Sequence, residues 1–369
     1  MIWNWQQKEW PEFEYEAHQL MPKEEAFLLE EGKLLGALKH FSDSEKSELT
    51  VELISNEALK SSEIEGEYLN RESLQSSIRK NFGLSTNKQA PSPPAEQGMA
   101  EMMIALYCDY DCPLTHEEIF SWHAKLMMGR RDIHDVGIYR TGEDPMQVIS
   151  GSIHKPKVHF EAPPSSELRE EMEGYIQWFN DSSPNGKHPL PALTRSGLAH
   201  LYFVTIHPFE DGNGRIGRAL SEKALSQALK QPSLIALSQI IERQKKEYYA
   251  QLNKHNHTLH VTSWLSYFAE TILEANRYSQ NLIEFLINKA KLYDRIHGQI
   301  NERQGMVLAR MFKEGPEGFT GGLSAENYIK IAKTSRATAT RDLQKLLELG
   351  ALFRTGTLKG TRYWLKLSE

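Results

Sequence analysis

The chain has 369 residues, 40% of them hydrophobic and 25% charged, with a formal net charge of −6 at neutral pH. That length accommodates two or three domains whose cores fold without staples, and the acidic balance excludes a general nucleic-acid binder. Only 2 cysteines occur, and there is no basic leader and no apolar run of about 18 residues, which excludes a disulfide scaffold, a secretory signal and a membrane span; a soluble, cytoplasmic protein with no membrane contact is expected.

Tryptophans open the chain at Trp3, Trp5 and Trp10. Val51, Leu53, Ile54, Ala58 and Leu59 then recur at helical spacing and predict a helix leading into Ser61-Ser62-Glu63-Ile64-Glu65-Gly66. Ser62 and Glu65 stand at the spacing of a capping box, the ordinary reading of that stretch. Proline-rich Ser85 to Gln97 separates an N-terminal helical region from the central one, and Asp181 to Pro191 and Lys313 to Gly322 mark further loops. Cys108 and Cys112, with no companion ligand nearby, read as reduced core residues. From Gly137 to Phe160, short β-branched pieces around Ser150-Gly151-Ser152, closed by Pro163 and Pro164, predict a β-hairpin.

Leu198, Leu201, Tyr202, Val204 and Thr205 fit a buried helix ending near His207 and Pro208. The adjoining run, His207-Pro208-Phe209-Glu210-Asp211-Gly212-Asn213-Gly214-Arg215-Ile216-Gly217-Arg218, gathers a histidine, carboxylates, glycines and arginines. Gly212, Gly214 and Gly217 are expected to adopt positive φ and turn consecutive N–H groups toward an anion. A helix from Arg215 onward presents its positive end to that turn, with Arg215 and Arg218 on one face to clasp phosphate oxygens. His207 has the pKa range of a general base, and Asp211 stands where it can hold a divalent cation against the same phosphates.

From Glu222 to about Asn301 the pattern stays helical, with Trp264, Leu265, Tyr267, Phe268, Ile272 and Leu273 as an apolar face. Tandem Tyr248 and Tyr249 can form a flat wall for a purine ring, or serve as core and rim. His255, His257 and His260 lack zinc-pair spacing and read as a solvated helix end. From Leu323 to Glu369 the chain is +5 while the remainder is −11. Tyr328 to Ala332, then a turn at Thr334-Ser335-Arg336, then Ala337 to Leu349 read as two helices, and Leu352 to Leu365 as two strands about a glycine turn. This pattern is that of a winged helix, with Arg336, Thr338, Thr340 and Arg341 where a major groove would be read; a DNA partner and a protein partner both stay open.

The run from His207 to Arg218 resembles the signature of the Fic family, His-Pro-Phe-x-(Asp/Glu)-Gly-Asn-Gly-Arg-x-x-Arg, and meets every specified position. The resemblance implies transfer of AMP from ATP to a hydroxyl side chain of a protein, the chain itself included. His207 would be the base, Asp211 the Mg2+ ligand, and Gly212, Asn213, Gly214, Arg215 and Gly217 the phosphate loop, with Arg218 at the terminal phosphates. Tyr248, Tyr249 and Asn256 match the family's nucleobase pocket. The hairpin near 137–160 matches its flap, on which a protein target with a Ser, Thr or Tyr hydroxyl docks as an added strand. Ser61, Glu65 and Gly66 fit the family's N-terminal inhibitory motif, which implies that Glu65 pairs with Arg218 and keeps ATP from a productive pose; a glutamate there also implies a reverse, AMP-removing reaction. The Trp3, Trp5, Trp10 opening is similar to the module found with some Fic cores. The expected fold is mainly α: an N-terminal module over 1–95 carrying the inhibitory motif, a helical Fic core with its flap over 96–285, and a small α+β winged-helix domain over 286–369. An ATP-sensing DNA-binding or adaptor protein, transfer of another phosphate-linked group, and a homodimer are carried as alternatives.

Overall fold

The structure is a computed structural model that describes residues 2–38, 42–84, 92–152, 155–316, 318–319 and 321–367. The fold is mainly α-helical and divides into two compact units, Met1–Arg277 and Tyr278–Glu369.

Unit 1 begins with α1 (Ala17–Leu38), α2 (Asp43–Ile64), α3 (Arg71–Asn81), α4 (Pro94–Cys108) and α5 (His116–Leu126). A hairpin of β1 (Gln147–Ser152) and β2 (Lys155–Glu161) comes next, then α6 (Leu168–Asp181), α7 (Ala192–Ile206), α8 (Asn213–Leu229), α9 (Leu237–Arg243) and α10 (Lys245–His255). Helix α11 (Thr262–Ile296) contains the boundary between the units. The most extensive helix pairing joins α7 to α8. Leu198, Ala199, Leu201, Tyr202 and Phe203 are buried all round α7, as expected of a helix without a polar face. Around this pair α2, α4, α5 and α6 contribute Ile54, Met99, Trp122 and Tyr175 to one core. Helix α2 is tied to α9 by a buried carboxylate: Ser238 N–H donates to Glu57 Oε1 at 2.9 Å and Oε2 at 3.0 Å.

The tryptophan opening is a strap. Asn4 is buried; its Nδ2 donates to His255 O at 3.2 Å and Thr205 Oγ1 at 3.3 Å, and its N–H donates to Asn256 O at 2.8 Å. Trp5 Nε1 donates to Glu161 O at 2.7 Å and Trp10 Nε1 to Glu171 Oε2 at 2.9 Å, so the strap binds the base of the hairpin and α6 as well.

In unit 2, α12 (Glu302–Phe312), α13 (Ala325–Ala332) and α14 (Arg336–Glu348) precede the antiparallel pair β3 (Leu352–Thr355) and β4 (Arg362–Leu365). Ser335 Oγ caps α14 by accepting from Thr338 N–H, and Gly350 ends it at φ 64°. The buried Asp342 joins the helices, accepting from Tyr328 Oη at 3.0 Å and Arg303 Nε at 2.9 Å.

Several expectations change. Cys108 and Cys112 are exposed, because Cys108 closes α4 and Cys112 lies in the turn beyond it. The helical pattern from Glu222 breaks after Leu229, where Lys230 takes a left-handed conformation. Gly137 to Arg140 is not strand; the hairpin begins at Gln147, and Ser150-Gly151-Ser152 pairs within β1 opposite Lys157, Pro156 and Lys155. Its turn, 153–154, lies outside the described residues, as do 85–91 of the proline-rich segment; Pro94 to Gln97 already forms the first turn of α4. Ser62 and Glu65 stand at the C-terminal end of α2, so they cannot be a capping box; that device occurs at the other end, between Ser42 and Glu45. His255 is buried, with Nε2 2.9 Å from Ser263 Oγ.

Candidate functional site

The site is built where α7 gives way to α8. His207 caps α7 in a left-handed conformation, φ 51°, which a non-glycine residue holds only when its surroundings over-determine it. Arg140 supplies part of that restraint: its N–H donates to Pro208 O at 2.9 Å and its Nε to His207 O at 3.0 Å. His207 Nδ1 lies 3.2 Å from Val204 O. A carbonyl only accepts, so Nδ1 carries the proton and Nε2 keeps a lone pair. Burial pushes the imidazole pKa down to about 4, and the ring is neutral at pH 7.

Gly212, φ 86°, caps α8, whose first N–H groups have no helical partner and whose own first turn carries no acidic residue. Gly214 and Gly217, expected to have positive φ, are helical residues of α8. Their missing Cβ atoms make room instead: a Cβ on Gly214 would lie 2.2 Å from Glu65 Oε1, and one on Gly217 2.9 Å from Val204 Cγ1 of α7. Asn213 clasps the loop, with Oδ1 accepting from Phe209 N–H at 3.0 Å and Nδ2 donating to Phe209 O at 2.7 Å. His123 stacks on the Phe209 ring at 4.0 Å, and its Nδ1 accepts from Gly137 N–H at 3.0 Å.

The charged groups of the loop are all engaged within the chain. Asp211 Oδ2 accepts from Arg130 Nη1 at 2.8 Å, and Oδ1 accepts from Gly212 N–H at 2.5 Å and lies 3.4 Å from Arg215 Nη2. Burial opposes ionisation of Asp211, but Arg215, Arg130 and the Gly212 N–H outweigh it and hold the carboxyl below its usual range. Arg218 is buried; Nε donates to Ser61 Oγ at 2.9 Å and Nη2 to Ser61 O at 2.8 Å. Its Nη1 lies 2.8 Å from Glu65 Oε1 without the alignment of a hydrogen bond, so that contact is a charge pair. Burial would raise the Glu65 carboxyl, and Arg218 overrides it, leaving the pKa lowered. Gly66, φ 83°, turns the chain so that Glu67 reaches Arg215 Nη1. Arg215 and Arg218 therefore face a carboxylate each, both from the turn after α2. The buried Glu57 and Glu222 also interact with Arg218; burial raises both carboxyls, Glu222 well above the ordinary range.

The tyrosine pair splits. Tyr248 is core, its Oη 2.7 Å from His200 Nε2, while Tyr249 is 40% exposed with Oη 3.3 Å from Glu65 Oε2. A cavity of about 650 Å³, within the usual range for small ligands, brings Glu65, His207, Gly214, Tyr248, Tyr249 and Asn256 together. The hairpin closes one side with Val148, Ile149 and His159, and Asn256 Nδ2 donates to His159 O at 3.2 Å. The expected site residues thus gather around one cavity and the adjoining helix end, although Asp211, Arg215 and Arg218 do not line the cavity itself.

Sequence reading missed Arg130, Arg140, His123, Glu67 and the Asn4 strap. Only Glu67 left a legible signal, the acidic residue repeated across Gly66. A further cluster, His134, Asp135 and Glu210, brings donor atoms within 4.8 Å of one another. Its carboxylates are taken up in holding a loop: Glu210 accepts from His134 N–H at 2.9 Å, and Asp135 Oδ2 accepts from Thr141 N–H at 2.6 Å.

The site sets the N-terminus of α8 beside a neutral histidine within a helical core. Residues 113–225 match the Fic/DOC family and residues 3–84 match the domain of unknown function DUF4172. The chain thus carries a Fic domain over residues 113–225. It is 28% identical over 144 residues to the protein adenylyltransferase Fic of Nematostella vectensis, covering 39% of this chain and 29% of that protein. With the protein adenylyltransferase Fic of Drosophila grimshawi it shares 32% identity over 136 residues, 37% of this chain and 24% of that one. The aligned stretch thus spans under a third of the length of these curated relatives. A Fic family protein from Desulfovibrio desulfuricans G20 has a similar fold, with a TM-score of 0.51 at 20% identity over 93% of this chain and 96% of that chain. No helix among the described residues is long and apolar enough to cross a membrane.

Proposed function

We propose that this chain transfers AMP from ATP to a hydroxyl side chain of a protein. The observation that carries the reading is His207, held neutral with its Nε2 lone pair at a cavity beside the open N-terminus of α8. The hydroxyl oxygen attacks the α-phosphorus, pyrophosphate departs, and Nε2 takes the hydroxyl proton. General-base help of this kind contributes roughly 10²- to 10⁴-fold. The N–H groups at the start of α8, with Gly212, Gly214 and Arg215, meet the phosphates, Arg218 meets the terminal one, and Tyr248, Tyr249 and Asn256 bound the base. Asp211 fits a Mg2+ ion: it is ionised, half-buried and at the phosphate end, and the ion needs only one or two carboxylates besides phosphate oxygens. Bound there, Mg2+ supplies neutralisation of phosphate charge, and Arg130 has to release Asp211 to admit it.

Ser61, Glu65 and Gly66 form the inhibitory element in this reading. Glu65 occupies the Arg218 guanidinium that the terminal phosphate requires, so resting activity is low, and Glu65 is also positioned to orient water for the reverse reaction. The hairpin offers its edge to a protein target as an added strand. The domain organisation over 1–95, 96–285 and 286–369 belongs to the same proposal. A second reading, a sensor of ATP that binds DNA or a protein, draws on the +5 charge of the last region, where Arg336, Thr340 and Arg341 are exposed on α14. The two separate on incubation of the Glu65→Gly chain with ATP and Mg2+. A mass increase of one AMP, lost in the Glu65→Gly/His207→Ala form, supports transfer; salt-dependent DNA retention with no mass change supports the sensor.

A further inference from the structure

We propose that Glu67 is a second carboxylate of the block, competing with phosphate for Arg215 as Glu65 competes for Arg218. The inference rests on the AMP-transfer reading and goes beyond the single inhibitory glutamate. The turn after α2 is tightly specified: Glu65 N–H and Glu67 N–H both donate to Ser62 O at 3.0 Å, and Gly66 N–H donates to Glu63 O at 3.0 Å. One carbonyl thus anchors both glutamates, and Gly66 at φ 83° lets them face successive arginines of α8.

Neither carboxylate is explained by the stability of α2. They lie just past its C-terminus, the negative end of the helix dipole, where acidic groups are disfavoured. Arg215 also lacks the full set of partners of a structural arginine. It is 3% exposed, Nη1 meets Glu67, Nη2 lies 3.4 Å from Asp211, and the buried Nε–H has no hydrogen-bond partner among the described residues. A phosphate at the start of α8 could satisfy that group, which a carboxylate engaging Nη1 alone does not. The Glu67 side chain is 29% exposed and can swing into water without unfolding anything. Displacing Glu65 alone leaves Arg215 paired with Glu67; displacing the turn takes both glutamates from the arginines together.

The test uses the full chain as wild type, Glu67→Gln, Glu65→Gly and the double variant, with ATP affinity in Mg2+ read by calorimetry and AMP incorporation by mass. Loss of a charge-assisted competitor predicts that Glu67→Gln binds ATP about tenfold more tightly. The double variant should then incorporate AMP faster than Glu65→Gly by a similar factor. That comparison matters because a substitution that merely loosened the turn would act through Glu65 and add nothing once Glu65 is gone. Glu67→Asp, one methylene too short to reach, serves as the second variant should Glu67→Gln not fold, and should tighten ATP likewise. Unchanged ATP affinity together with a double variant no faster than Glu65→Gly overturns the proposal and leaves the AMP-transfer reading standing. Should no variant bind ATP or take up AMP, that reading fails and this inference falls with it.

Discussion

At the scale of single residues, charge pairing decides the resting state. His207 needs to be neutral to accept a proton, and with burial holding its pKa at about 4 it is so across the physiological range. The acid limb of the transfer rate is therefore expected near pH 4 to 5, well below the 6.5 of a free imidazole; a limb at 6.5 in a rate-against-pH profile of Glu65→Gly would mean that the ring is hydrated in the working enzyme. Glu65 carries the complementary cost. Removing Glu65, whose side chain is 26% exposed, leaves the buried Arg218 with one counter-charge fewer, a loss softened by solvent on the Glu65 side. Glu65→Gly should unfold at a lower temperature than wild type without nucleotide and regain most of the loss when ATP is added. A lower melting point that ATP does not restore would argue that Arg218 has no phosphate to bind.

Elements act by carrying these residues to one another. Helix α2 brings Ser61, Glu65 and Glu67 to α8 because its buried middle packs on α9 and α4 and its last turn is closed by Gly66. The N-terminal strap works on the opposite wall. Asn4 joins the end of α7, two residues before His207, to the turn at Asn256, and its side chain is fully buried. Asn4→Ala should cost about 2 kcal/mol through the lost bonds and the unpaired His255 carbonyl. Amide exchange around residues 255–257 should accelerate more than that of α7, which hydrogen exchange read by mass spectrometry can check. Equal acceleration throughout unit 1 would make Asn4 a general core residue.

For the molecule as a whole, the buried histidines of unit 1 set the response to acid. His123, His200 and His207 each have a folded pKa of about 4 against 6.5 unfolded, so the unfolded chain takes up protons first as the pH falls. Their contribution to stability is complete above pH 6.5 and is lost progressively down to pH 4; Asp211 and Glu65, lowered by arginines, act in the same direction. Glu31, raised to about 7 by burial, opposes them, favouring the folded form below pH 4.5 and losing that effect as pH rises through 7, and the buried Glu57 and Glu222, also raised, oppose them in the same sense. The change in the midpoint of urea unfolding from pH 7 to pH 5 should accordingly be less unfavourable in His207→Ala than in the wild type, and an identical pH dependence would count against the buried neutral state of that ring.

Much of the site was legible because the signature is local. His207, Asp211, Gly212 and Arg215 are close in sequence, and a helix end with glycine before it is an anion site wherever it occurs. The helical periodicity of α7, α8 and α14 likewise arises from near neighbours. The glycines show the limit of that reasoning: Gly214 and Gly217 looked like loop residues, but their use is to admit Glu65 and Val204, atoms no local pattern names. The same holds for Cys108, exposed where a core place was expected, since helix ends are set by packing as much as by composition.

The sequence by itself determined the groups on offer: a histidine, a carboxylate and two arginines at a helix N-terminus. Only the tertiary structure decided which partner each of them has. Arg218 meets Ser61 across 157 positions and Arg215 meets Glu67 across 148. Contacts of that reach depend on where α2 lies against α8, which is settled by the burial of Ile54, Ala58 and their neighbours over the whole core. Arg130 and Asn4 arrive in the same way. Charge identity is written residue by residue, whereas the field each charge experiences is a property of the folded chain.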